Sequence, residues 1–377
     1  MKIRAIAESL VNDLIKRSNE LGQGRKTAAI GYADKDGVVN RHSSFIEGGV
    51  SGIPHRVMMG KIDPREHASL LEMINSLPDS AVYVVTDPGQ TGLITSTSAI
   101  NLLNLPIIKI GIKHGERAGI GILHPGRKHF RLTTRNEKLK MESLAASTME
   151  EEKEALRKVN RLKLKFLDIS QVLESFPVEA EQENRSRDDL YSISRQPLES
   201  LAGEFARELV DKSLNTEPGR EVAAYGRIDE NGHITRSSEM IVGGMGYIPS
   251  RLLASAYEDI EGLSLREFYT DIIPENTAIV HTHPGGSGVM HMSDAMAGPG
   301  TWGRPIVAVG HDRNGNIKGV TAIRKSDSLF ELADENEKLE QEFFQVENPE
   351  AEAKLRKRRY RIAQKFTDLC RELELRR

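Results

Sequence analysis

The sequence predicts an α/β protein built from two copies of one domain, each a mixed sheet with helices packed on it. Three observations point there: length, an internal repeat and an alternation of strand-like with helix-like segments. At 377 residues the chain is longer than a single core usually grows, which favours two domains. G-R-K-T-A-A-I-G-Y-A-D-K-D-G from Gly24 answers G-R-E-V-A-A-Y-G-R-I-D-E-N-G from Gly219, 195 residues later. G-G-V-S-G-I-P-H-R from Gly48 answers G-G-M-G-Y-I-P-S-R from Gly243, and V-V-T-D-P-G-Q-T-G from Val84 answers V-H-T-H-P-G-G-S-G from Val280. N-E-K-L at Asn136 and Asn336, and K-F-x-D at Lys165 and Lys365, carry the duplication into the last third of each copy. The copies are assigned to residues 1–177 and 198–377, with the polar stretch 178–197 after Pro177 as linker.

Within a copy the expected order starts with an amphipathic helix, because M-K-I-R-A-I-A-E-S-L-V-N-D-L-I-K-R breaks its apolar residues with charges every few positions. A hairpin follows, turning at D-K-D-G from Asp34 or D-E-N-G from Asp229. After a Gly-rich loop come a helix over Pro64 to Leu77 (Leu263 to Tyr269 in the second copy), a short apolar strand, a helix start, and a strand over Ile107 to Ile112 or Ile306 to Gly310. Each copy is expected to end in a long helix, striped by Leu162, Phe166, Ile169 and Leu173 or by Ile362, Phe366, Leu369 and Leu373. Those stripes need cover. Packing the two terminal helices together would make the chain an intrachain pseudo-dimer, and packing each on its own domain is the alternative.

Composition excludes several classes. Hydrophobic residues at 38%, charged residues at 28% and a mean hydropathy of -0.43 describe a soluble globular protein. The N-terminus lacks the apolar core of a secretory signal, and no segment is apolar enough to span a membrane. The single cysteine, Cys370, forbids an intrachain disulfide, so a reducing cytoplasm is the expected location. A net charge of -3 gives no reason to expect nucleic acid as a partner. The basic run Lys354 to Arg361 follows Asp334, Glu335, Glu337, Glu340 and Glu342, a pattern of helices pairing opposite charges. G-I-G-I-L-H-P-G at Gly119 has dinucleotide-like glycines but reads as followed by no helix, and is set aside.

The chemistry-bearing cluster is in the second copy. In T-A-I-V-H-T-H-P, strand residues lead into His281 and His283, whose two-residue spacing puts both imidazoles on one face. A bare H-x-H is more often a pair of strand-end histidines satisfied by hydrogen bonds. Asp294 follows after the flexible G-G-S-G at Gly285, just inside a helix start that Ser293 would cap. Two histidines and a carboxylate suit zinc, which in catalytic sites takes three protein ligands and keeps one position for solvent.

At these residues the chain resembles the JAMM (MPN-plus) metalloprotease family, whose motif is a distant Glu, then H-[S/T]-H-P, six residues, Ser, two residues and Asp. Here H-T-H-P is His281 to Pro284, the gap is Gly285 to Met290, and Asp294 falls in register. The resemblance implies a cytidine-deaminase-like MPN fold and a Zn2+ ion held by His281, His283 and Asp294. It also implies hydrolysis of a peptide or isopeptide bond in a protein substrate, such as conjugates of a ubiquitin-like modifier. It places the general base on the first strand, where Glu221 stands; Glu239 is second choice. The family's serine, which steadies the oxyanion, is His291 here. His291 could donate to an oxyanion or become a fourth ligand that closes the zinc, and Ser287 and Ser293 are the alternative donors. A closed or absent metal site would instead make the chain a non-catalytic scaffold. In the first copy Lys26, Val85, Asp87 and Ser98 replace Glu221, His281, His283 and Asp294, so that copy is similar to a metal-free MPN-minus domain acting as the inactive partner.

Overall fold

The computed structural model describes residues 2–62, 68–95, 103–183, 197–216, 219–346 and 348–376. The duplication is plain in its topology. In the first sheet the strands run, edge to edge, Gln171–Val172, Glu116–Leu123, Ile107–Lys113, Ala81–Pro88, Thr27–Ala33, Val38–His42, Ala5–Ala7 and Glu174–Phe176. The second repeats that order with Arg371–Glu372, Ile317–Ile323, Ile306–His311, Thr277–Pro284, Val222–Ile228, His233–Arg236, Ser200–Ala202 and Glu374–Arg376. Each sheet is mixed: Thr277–Pro284 runs antiparallel to Val222–Ile228 on one side and parallel to Ile306–His311 on the other.

Two ends of the expected order are corrected. The N-terminal segment is not one helix, for its buried Ala5–Ala7 forms a strand and the helix begins at Glu8, running to Leu21. Nor does a copy end in its long helix. The chain goes on into two short strands that pair with opposite edges of the same sheet, so each sheet is nearly closed. Leu173 and Leu373 lie between those strands, each giving its N–H across the gap, to Ile120 and Val320 (2.9 Å in both cases). Sheet edges carry unpaired backbone groups, and this closure satisfies part of them.

Local chemistry explains the elements. The hairpin turns are held by Asp34 and Asp229, whose carboxylates accept the backbone N–H of Asp36 and Val38 (2.9 and 3.0 Å) and of Asn231 and His233 (2.9 Å each). Helix Gly203–Leu214 turns Phe205, Ala206, Leu209 and Val210 onto the sheet, where Val222, Ala224, Val280, Val307 and Val309 receive them. A Leu or Val so buried contributes about 2 kcal/mol. The helix expected over Pro64 to Leu77 is seen from Leu70 to Ser76, with Ser69 and Glu72 forming a capping box; residues 63–67 lie outside the described residues. Its counterpart is a short turn, Leu265–Glu267, that widens into π-helix over Phe268–Ile272. A helix, Arg127–Leu144, does follow the glycines at Gly119, contrary to the sequence reading, but those glycines sit inside strand Glu116–Leu123, where a Cβ at Gly119 would come 2.6 Å from the Thr91 carbonyl. Of the linker 178–197, Glu181–Gln182 adds a strand beside Val38–His42 and residues 184–196 lie outside the described residues.

The chain divides into two compact units, each discontinuous: residues 1–125, 163–190 and 333–360 form one, and 126–162, 191–332 and 361–377 the other. Each unit thus contains helical residues from the other copy. In the second unit the fully buried Arg251 donates to Thr134 Oγ1 (2.7 Å) and to the carbonyls of Ile260 and Leu263 (3.0 and 2.9 Å). Glu137 there accepts the N–H of Arg251 and Leu252 (3.1 and 3.2 Å) at the start of helix Ser250–Ser255. The first unit repeats the device with Arg56 on Asp334 (2.6 Å) and the Val57 N–H on Glu337 (2.7 Å). Burial pushes both glutamates up to about 7. Among the expected stripes, Leu162, Phe166, Ile362 and Phe366 are buried, whereas Ile169 and Leu369 are partly covered. The basic run lies on helix Pro349–Leu369 and is paired as expected, Arg356 with Glu352 (2.6 Å), Arg358 with Glu342 (2.5 Å) and Arg359 with Glu340 (3.2 Å). No helix among the described residues is long and apolar enough to cross a membrane.

Candidate metal centre

Strand Thr277–Pro284 is the middle of its sheet, and its period of two aims His281 and His283 to one face while Thr282 faces the other. Thr282 Oγ1 accepts the N–H of Val222 (2.9 Å), fixing this strand against the one that Glu221 precedes. Gly310 lies beside His283 in the parallel neighbour. Its bare Cα lets the loop after Pro284 fold down onto the sheet, since a Cβ there would fall 1.9 Å from the Gly288 nitrogen. Gly288 itself takes a φ of +78°, open to glycine at little cost, and a Cβ on it would meet the Gly319 carbonyl at 2.3 Å. That tight loop delivers Asp294 to the histidines.

The three expected ligands converge. His281 Nε2 is 2.9 Å from His283 Nε2, Asp294 Oδ1 is 3.8 Å from His281 Nε2, and Asp294 Oδ2 is 3.4 Å from His283 Nε2. Their ligand atoms all lie within 4.8 Å of one another. A tetrahedral ion with bonds of about 2.1 Å sets its ligands about 3.4 Å apart, so the donor set fits zinc in number, type and spacing. The electrostatics treat the two histidines differently. Burial pulls His281 down to about 4, which leaves it neutral and able to offer a lone pair. Burial also opposes charge on His283, but Asp294 and Glu221 outweigh it and raise that imidazole; the Asp294 carboxyl is lowered, its burial outweighed by His283 and His281. The Val289 backbone adds a hydrogen bond to His283.

Glu221 is near enough for its charge to act on His283 and for that of Asp294 to act on it. It lies one residue before strand Val222–Ile228, 8% exposed, with its N–H on the Gly244 carbonyl (3.0 Å) and its carbonyl on the Gly243 N–H (2.7 Å). Burial raises its carboxyl to about 7, Asp294 adding to the rise and His283 opposing it. Glu239, the second choice, is exposed.

Ser293 is not the helix cap. The helix is Met292–Ala295 with His291 as N-cap, and Asp294 turns back to accept the His291 N–H (2.8 Å), so the Asp294 carboxylate itself closes the turn. Ser287 and Ser293 are both exposed. The His291 ring stacks on His283 at 5.3 Å with an interplanar angle of 17°, and its Nδ1 is 3.7 Å from Asp294 Oδ2 while 71% of the side chain stays exposed.

Cys370 is half-buried just past the last helix. Burial, together with the charge of Asp294, lifts its thiol to about 11. Trp302, without assignment from sequence, is buried and stacks on Tyr269 at 4.3 Å; Tyr269 shares a 2.7 Å hydroxyl hydrogen bond with Tyr225 on the Glu221 strand.

The first copy has the same loop and different chemistry. Asp87, at the position of His283, receives Lys26 Nζ on Oδ1 (2.9 Å) and Lys109 Nζ on Oδ2 (3.3 Å). Burial opposes the Asp87 charge, and the two ammonium groups outweigh it and lower its carboxyl. Lys26 matches Glu221, and Lys109, which stands beside Val85 as Ala308 stands beside His281, was not singled out from sequence because only strand register brings it there. Ser98, the counterpart of Asp294, lies outside the described residues. Comparison of the chain with protein-family models, with curated proteins and with solved structures gives no match.

Proposed function

We propose that the second copy is a zinc-dependent hydrolase of the MPN-plus type that cleaves a peptide or isopeptide bond, with the first copy as its metal-free partner. The observation that carries this reading is the convergence of His281, His283 and Asp294, three donors of the right type within 4.8 Å of one another. Zinc bound there supplies Lewis acidity and brings a water molecule's pKa into the neutral range. The residues of the chain do the rest. Glu221, poised near 7, takes a proton from the attacking water and passes it to the leaving amine. His281 and His283 stay fixed by strand pairing, and Asp294 by its hold on the His291 N–H. His291, at the exposed rim, would donate to the oxyanion that develops on the substrate carbonyl.

One observation favours a second reading, a scaffold with a closed metal site: the His291 ring already lies against His283 and Asp294. The two readings part on Glu221→Gln and His291→Ala. For the enzyme, purified zinc-loaded Glu221→Gln keeps its metal and loses cleavage of peptide and modifier-fusion substrates by about 10²-fold or more. For the scaffold, the parent itself cleaves nothing and His291→Ala loosens the metal.

A further inference from the structure

The repeat gives each copy an arginine at the same point, and only one of the two has its donors fully served. Arg25 in the first unit donates Nε to the Gly48 carbonyl (2.9 Å) and Nη2 to Gln341 Oε1 (2.9 Å), and its guanidinium carbon lies over the Phe344 ring at 5.1 Å. Arg220, its counterpart beside Glu221, repeats the first bond with the Gly243 carbonyl (2.9 Å). The second bond has no oxygen to receive it. N-E-K-L at Asn136 and Asn336 puts Met141 where Gln341 stands and Leu144 where Phe344 stands. Arg220 Nη2 therefore has the Met141 sulfur at 3.9 Å, and Leu144 is 39% exposed. Among the described residues no carboxylate pairs with Arg220, although the residue is only 7% exposed. A guanidinium with five N–H donors, little water and one carbonyl is short of acceptors.

Arg220 lines an open cavity of about 590 Å³ in the second unit, within the size range of small-ligand sites. Met141, Val242 and Leu252 are apolar parts of its wall, and Lys138 and Glu142 on helix Arg127–Leu144 are its other charged residues. Glu137 on that helix is already taken up by the N–H of Arg251 and Leu252. We infer that this cavity binds a single carboxylate on an aliphatic chain, a glutamate side chain of a peptide, seated on Arg220 as Gln341 is seated on Arg25. A carboxylate has the shape of the amide that Gln341 offers, and it adds the charge and the second acceptor that the paired donors of a guanidinium match. Charge sets the number. Arg220 and Lys138 against Glu142 leave one positive charge uncompensated, which suits a monoanion and not a phosphate dianion. The apolar wall likewise favours methylene groups over hydrated oxygens. The inference does not rest on the metal centre, since His281, His283 and Asp294 are not in the lining of this cavity.

The test is titration of the chelator-treated full chain with N-acetyl-glutamate α-amide, read by calorimetry and by the methyl resonances of isotope-labelled methionines. The expected result is saturable binding that shifts the Met141 methyl group and is at least tenfold tighter than that of N-acetyl-glutamine α-amide or of inorganic phosphate. Met141→Gln gives Arg220 the acceptor that Arg25 has, so it should weaken binding at least tenfold without lowering the urea midpoint of unfolding. His281→Ala/His283→Ala protein should bind as tightly as the parent, because the ligand is not held by the metal centre. No binding up to about 10 mM overturns the inference. So do equal affinity for the three ligands, a Met141 methyl group that does not move, unchanged binding in Met141→Gln, and loss of binding with the two histidines.

Discussion

The two copies share a strand order, a hairpin turn, a capping box and a glycine-seated loop, yet what they bury at the same point differs in sign. In the first copy an aspartate is gripped by two lysines; in the second, two histidines and an aspartate face one another beside a glutamate. A buried carboxylate needs a cation close by. Lys26 and Lys109 supply that cation from the chain itself, and the second copy, with alanine at Ala308 and an acid at Glu221, has no lysine there to do so. The fold therefore does not call for His281, His283 or Asp294, because the first copy reaches the same topology without them.

The largest effect should come from the ligands. Replacing His281, His283 or Asp294 singly by Ala should lower zinc affinity by at least 100-fold in competition with a colorimetric chelator, whereas Asp87→Ala should leave it unchanged. If Asp87→Ala matters as much as His283→Ala, the copies are not divided as described. The next effect is on stability, and its sign separates the copies. Lys26→Met leaves Asp87 with one partner in place of two and should destabilise the metal-free protein by about 2–3 kcal/mol in urea unfolding. Glu221→Gln at the matching position should be neutral or stabilising, because burial already disfavours the Glu221 charge.

How much of this was readable beforehand follows from what each feature depends on. The repeat, the hairpins turned by Asp34 and Asp229 and the convergence of His281, His283 and Asp294 depend on local spacing, and spacing is visible in a sequence. The closing strands Glu174–Phe176 and Glu374–Arg376 are three residues long and pair with a strand at the far end of the copy, so no periodicity announces them. The partners of Arg56 and Arg251 escaped for the same reason, since Asp334 and Thr134 belong to the other copy of the repeat. Lys109 reaches Asp87 only through the parallel register of their strands. Ser293 fits the N-cap preference, and it lost that role because Asp294, already turned inward, could accept the His291 N–H and face the histidines at once.

The smallest effect concerns pH. Glu137 and Glu337 have carboxyls raised to about 7 in the folded protein against an ordinary value near 4.5, so between those two values the folded chain holds protons that the unfolded chain has released. Stability from these groups therefore falls as pH rises from about 4.5 to 7, by roughly 1–2 kcal/mol each. Glu137→Gln and Glu337→Gln should each flatten that part of a plot of melting temperature against pH, and by similar amounts, because the two sites are counterparts. A fall of unchanged size in both variants would contradict the assignment.

The most direct test of the central claim is the metal content of the purified chain, with X-ray absorption at the zinc edge to report its ligands. One zinc per chain is expected, bound through two imidazole nitrogens and carboxylate oxygen with one position left to solvent, and none in His281→Ala/His283→Ala protein. A chain that takes up no zinc, or that keeps one zinc when both histidines are gone, would contradict it.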